Sequence, residues 1–167
     1  MDPITMQSQP EQWACMPVAF AMAMGVSVDE LLEAVGHDGS KIIFPTLPEP
    51  ACRQGFHVQE FIVVALQRGL AVTPVELFPV LASSDERQTH TILYPDNNWK
   101  RFADTLATSR GVIDGTGFRF GHMVAYDHGR IYDPKGSVYG YSRLACEGHG
   151  FYTRCAWRID PIGVSQE

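Results

Sequence analysis

The chain has 167 residues, enough to bury a substantial core, and it reads as one domain spanning 1–167. Its formal charge of −6 works against a general affinity for nucleic acid or anionic membranes, since both attract basic chains. No run approaches the ~20 apolar residues that cross a bilayer, and the start Met1-Asp-Pro-Ile-Thr5 lacks the basic and then apolar regions of a signal peptide. The expected location is therefore the cytoplasm, or another site reached by a signal-less route.

Residues 1–13 are polar, contain two prolines and read as loop. They run into Ala14-Cys-Met-Pro17-Val-Ala-Phe-Ala-Met-Ala-Met24, which predicts a helix over 14–24. Pro17 suits a first turn, where the amide it lacks has no intrahelical partner. The good helix formers that follow meet no breaker until Gly25. Cys15 is thereby set at the helix entrance, where free amides and the helix dipole favour a thiolate, the nucleophilic form. Gln9 lies six residues upstream, and its amide is a candidate donor to an oxyanion formed at Cys15. The plainer alternative for Cys15 is a small buried hydrophobe.

Ser27-Val-Asp-Glu30 reads as a capping box opening a short second helix, with Leu31, Leu32 and Val35 inward and Gly36 at its end. Residues 36–56 are loop-rich: His37-Asp-Gly-Ser40 is a turn signal, and Pro45, Pro48 and Pro50 forbid regular structure beyond Ile42-Ile-Phe44. Such an extended segment either lines a cleft or simply connects. A third helix is predicted over 58–69, with Phe61, Ile62, Ala65 and Leu66 inward and His57, partly exposed, at its start. Leu70–Phe78 reads as a strand that Pro74 assigns to a sheet edge. Residues 83–89 read as an exposed loop, and 99–109 as a fourth helix with Trp99, Phe102, Ala103 and Leu106 inward. Gly111-Val-Ile-Asp-Gly115 then opens a run of strands. Helices first and strands second make an α+β layout.

Residues 122–134 predict a hairpin in which His128-Gly129 is the two-residue turn and 127 pairs with 130. That register pairs Tyr126 with Ile131 and Val124 with Asp133. His122 then lies on the same face as Asp133, one diagonal step away, within reach of a side-chain hydrogen bond. An imidazole that activates a thiol needs a carboxylate on its other nitrogen to hold its tautomer and orientation. Cys15, His122 and Asp133, with Gln9 as oxyanion donor, make such a set. Taken singly, His122 is a satisfied strand-end histidine and Asp133 a turn-former before Pro134.

No motif asks for a cofactor, and no glycine-rich phosphate cradle occurs. Cys15, Cys52, Cys146 and Cys155 are expected as thiols, because they form no CxxC pairs. A metal set would have to draw on Cys146, His149 and Cys155, joined by Cys52 or His57. Its Cys-x2-His-x5-Cys spacing is not a zinc arrangement, so core cysteines and a surface histidine are expected.

On these residues the chain resembles the papain-like cysteine peptidase superfamily, and most of all its small bacterial branch that includes peptidases processing double-glycine bacteriocin leaders. The matching features are Gln9 six residues before Cys15, the Ala/Met-rich helix, the histidine opening a strand, and Asp133-Pro134 closing the next. The resemblance implies an α+β, papain-like fold, N-terminal helices packed on an antiparallel sheet with the site in the cleft between. It implies Cys15 as nucleophile, His122 as base and acid, Asp133 as orienting residue and Gln9 as oxyanion donor, acting on a peptide or protein. The chain departs from that branch at Ala14 and Met16, where an Asp and a Gly are usual, and Met16 narrows the approach to the thiol. No transporter segment accompanies the domain. The same fold serves glutamine deamidases and acyltransferases through the same thioester, and a non-catalytic, partner-binding protein of this fold is the further alternative.

Overall fold

The computed structural model describes residues 1–41, 55–77, 80–82, 89–91, 95–117 and 120–163. The segment Ile42-Ile-Phe44, the prolines after it, Cys52 and the loop 83–88 lie outside the described residues.

Helix α1 runs from Cys15 to Met24, and its residues from Pro17 onward are all buried. A helix apolar all round is a core helix. It packs on the sheet and on α2 (Val28–Val35) and α3 (Val58–Gln67). Gly25 and Gly36 end α1 and α2, as their sequences predict. The capping box at Ser27 is half formed. The Ser27 hydroxyl accepts from the Glu30 amide, but the Glu30 carboxylate turns away to Arg68, 2.7 Å off. An exposed carboxylate has a choice of donors, and the guanidinium offers a charged one. In α3 the buried residues are Phe61, Val64 and Ala65, while Leu66 is exposed. The helix is thus rotated from its predicted face, because Phe61 stacks on Phe20 of α1 at 5.0 Å between ring centroids.

The main sheet has six antiparallel strands in the order β1-β8-β4-β5-β6-β7. They are β1 (Leu70–Glu76), β4 (Arg110–Thr116), β5 (Gly121–Asp127), β6 (Arg130–Tyr132), β7 (Val138–Gly140) and β8 (Tyr152–Pro161). Pro74 does sit on an edge strand. A separate pair, β2 (Val80–Ala82) and β3 (Thr89–Thr91), claims Thr89 for a strand instead of the predicted loop. Helix α4 spans Pro95–Ala107 and starts four residues earlier than predicted, because proline is favoured at a first helical position.

Alternation along the strands divides the interior in two. Val112, Met123, Ala125 and Ile159 face α1, α2 and α3. Ile113, Val124, Tyr126 and Ala156 face α4 and α5 (Arg143–Gly148). As predicted, a strand, β1, precedes α4, while α5 interrupts the predicted run of strands before β8. Strand β8, which the sequence reading leaves out, lies between β1 and β4 and joins the sheet's two halves. Among the described residues no single helix is long and apolar enough to cross a membrane.

Candidate active site

The hairpin β5–β6 has the predicted register: Asp127 pairs with Arg130, Tyr126 with Ile131 and Ala125 with Tyr132. His128 and Gly129 both have positive φ, 46° and 78°, the signature of a two-residue type I′ turn. The ladder stops at Tyr132, but its phase carries on to the next residue. His122 Nε2 lies 2.9 Å from Asp133 Oδ1, and both side chains are buried, at 6% and 7% exposure.

Asp133 is also a turn-former. The carbonyl of Asp133 accepts from the Gly136 amide at 2.8 Å, closing a turn with Pro134 at its second position. The Asp133 carboxylate accepts from the Lys135 amide, two residues on, also at 2.8 Å. The two readings of Asp133 are thus one device, in which the turn aims the carboxylate that meets the histidine.

Cys15 is the first residue of α1 and is half-buried. Its thiol lies near enough to His122 to favour the charged imidazole. Because Nε2 is engaged by Asp133, Nδ1 is the ring nitrogen left for sulfur. Cys15 packs against the core under α1, whereas His122 touches Phe151 of the other core. The site therefore lies at the seam of the two cores, at one end of the sheet. Gln9 is tied to the same place by its backbone, whose N–H donates to the Pro134 carbonyl at 3.0 Å. The Gln9 side-chain oxygen is buried with no protein partner. Met16, next to the thiol, packs against the core under α1.

Burial works against charge on His122. The hydrogen bond to Asp133, with the charge of Asp133 and the neighbouring Cys15 thiol, outweighs it and holds the imidazolium up to about 9. Burial likewise opposes charge on Asp133, yet bonds from His122 and the Lys135 amide, with the positive charges beside it, keep its carboxyl below the ordinary value. The two shifts predict opposite pH limbs. His122 binds its proton more tightly folded than unfolded, so its contribution is complete below 6.5 and is lost as pH rises through about 9. Asp133 contributes above 3.8 and loses that contribution as pH falls through its lower folded value. Urea unfolding of wild type and His122→Gln should give a stability difference that is largest between about pH 4 and 6.5 and shrinks by on the order of 3 kcal/mol in alkali.

The other cysteines behave differently. Burial pushes the thiols of Cys146 and Cys155 up to about 11. Cys146 sits in the core under α5, and His149 stacks on Tyr139 at 4.0 Å. Cys146, His149 and Cys155 do not converge, and no group of three or more potential ligands among the described residues could hold a metal ion. A cavity of about 290 Å³ opens at the far end of β5, lined by Arg110, Asp127 and His128 among others, and shares no residue with the site.

Two contacts of the site went unread in the sequence. The Lys135 amide on Asp133 was legible in principle, since Asp-Pro-Lys-Gly is turn chemistry. Phe151 against His122 carries no local signal.

No protein-family model matches the sequence, and no curated protein matches it. Solved structures do. The peptidase domain of Streptococcus ComA, a bi-functional ABC transporter involved in a quorum-sensing pathway, superposes with a TM-score of 0.55 at 14% identity, covering 95% of this chain and 98% of that one. A double-glycine motif protease from an AMS/PCAT transporter, in complex with its leader peptide, superposes with a TM-score of 0.50 at 13% identity, covering 95% and 91%. This chain has the α+β, papain-like fold of those peptidase domains, with its helices on one antiparallel sheet.

Proposed function

We propose that this protein is a thiol hydrolase that cleaves an amide bond, peptide or isopeptide, in a peptide or protein substrate. The observation that carries the reading is the His122 ring, bonded through Nε2 to a buried carboxylate and neighboured by a thiol at a helix N-terminus. The whole chain, 1–167, acts as one papain-like hydrolase domain in this reading.

In the first step Cys15 Sγ attacks the amide carbonyl, and the C=O electron pair moves onto oxygen. The free first-turn amides of α1 and the Gln9 side-chain amide stabilise that oxyanion. Collapse breaks the C–N bond, and His122 Nδ1 gives its proton to the leaving amine. A water then attacks the thioester carbonyl, passing a proton back to His122. The C–S bond breaks, and the acid product leaves with the thiol restored. Asp133 remains ionised and holds the ring through Nε2. A peptide substrate suits the fold, because the transporter protease of the same fold is seen with its leader peptide.

Site-resolved alkylation by iodoacetamide tests this without a known substrate. At about pH 6, Cys15 should react about a hundredfold faster than Cys146 or Cys155, and His122→Ala should remove that advantage. Cys15 reacting no faster than Cys155 would overturn the reading. Fluorogenic peptides then identify the bond that is cut.

A further inference from the structure

Phe151 forms the wall behind His122. Phe151 is 1% exposed, and its ring centroid lies 5.8 Å from that of His122 with the planes 83° apart. That edge-on packing is a favourable geometry for two aromatic rings.

Three features deliver the phenyl ring there. The first is the end of α5. The Phe151 amide donates to the Cys146 carbonyl at 2.8 Å and the Gly150 amide to the Glu147 carbonyl at 2.9 Å, while Gly150 has φ 71°. This is a Schellman motif, which usually brings an apolar residue just past the helix back onto the last turn. Phe151 and Cys146 indeed share one core. The second is a bulge. Asp114 pairs with Cys155 but Gly115 with Thr153, leaving Arg154 as the extra residue. Arg154 is held aside by Asp114 at 2.6 Å. Bulges of this kind re-aim a strand end. The third is Gly115, which stands directly opposite His122 on β4. A Cβ there would lie 2.3 Å from the Tyr152 carbonyl oxygen and 2.7 Å from Phe151 Cε2. Only glycine leaves room for the phenyl ring to reach the imidazole.

We infer that Phe151 is a positioning residue for His122: its ring fixes the imidazole plane between Cys15 and Asp133 and keeps water from the His122–Asp133 hydrogen bond. The contact is not core filling alone, since helix end, bulge and glycine all converge on it. The inference rests on the catalytic reading of Cys15 and His122. A side chain that fills volume without a ring would let the imidazole turn and let water compete for Asp133. The imidazolium would then be held less firmly, and Cys15 would lose its partner at low pH.

The test is the alkylation rate of Cys15 against pH for wild type, Phe151→Leu and Phe151→Tyr, with His122 followed by its imidazole NMR signals. Phe151→Leu should slow alkylation at about pH 6 by about tenfold and bring the His122 titration down by about one pH unit. Phe151→Tyr keeps the ring and should stay within about twofold of wild type in the same assay. If Phe151→Leu does not fold, Phe151→Met is measured in its place. A folded Leu or Met variant with a wild-type pH profile and only a lower melting temperature would overturn the inference while leaving the proposed function standing. A wild-type protein in which Cys15 shows no low-pH advantage would overturn the proposed function, and this inference with it.

Discussion

Cys15→Ala is expected to leave no measurable amide hydrolysis, a loss of about five orders of magnitude or more, while the protein stays folded. The activity loss follows from the chemistry, because no other described group stands where the sulfur stands. Cys146 and Cys155 cannot substitute; burial pushes both thiols up to about 11, and neither touches His122. The fold should survive because Cys15 is half-buried at the first position of α1, where alanine is an excellent helix former. Residues deeper in the helix, Phe20 and Met22 among them, anchor it. His122 keeps its bond to Asp133 in the variant. Peptide cleavage and thermal melting check both halves. A variant that unfolds would mark Cys15 as a core residue, and one that still cleaves would remove it from the mechanism.

Asp133→Asn should lower turnover by about a hundredfold, and Asp133→Ala by more, with the two failing for different reasons. The same Asp133 oxygen, Oδ1, accepts from both His122 Nε2 and the Lys135 amide. An asparagine carbonyl oxygen can take that place and both bonds, so the ring's tautomer and orientation survive. What disappears is the negative charge that helps hold the imidazolium up to about 9. Asp133→Asn should therefore bring down the alkaline limb of the pH–rate profile as well as its height. Alanine removes the acceptor altogether and leaves a ring that is 6% exposed with no partner on Nε2. Its melting temperature should fall further than that of the asparagine variant, by several degrees for each 1–2 kcal/mol. Equal effects of the two substitutions on rate and pH profile would mean that the charge accounts for the whole effect, and an Asp133→Asn variant with the wild-type profile would mean that the charge does nothing.

Much of the site was legible because its parts are local. The Cys15 helix start rests on Pro17 and an unbroken run of helix formers. The His122–Asp133 contact follows from a period of two residues and one turn, and the His128-Gly129 pair leaves the register little freedom. The misreadings share a cause. Glu30 and Leu66 are exposed, so long-range partners settled their positions: Arg68 drew the carboxylate away, and Phe20 and Phe61 set the rotation of α3.

By itself, then, the sequence determined an α+β chain with a thiol at a helix entrance and an aligned histidine and carboxylate on a hairpin. Periodicity, capping and turn chemistry act within about ten residues, and they are enough for that. Only the tertiary structure decided that Cys15 neighbours His122, that β8 lies between β1 and β4, and that Phe151 stands behind the imidazole. These contacts join segments distant in the chain. They arise from two hydrophobic cores closing on opposite faces of one sheet, and burial is non-directional, leaving no periodic mark in the sequence that names its partner.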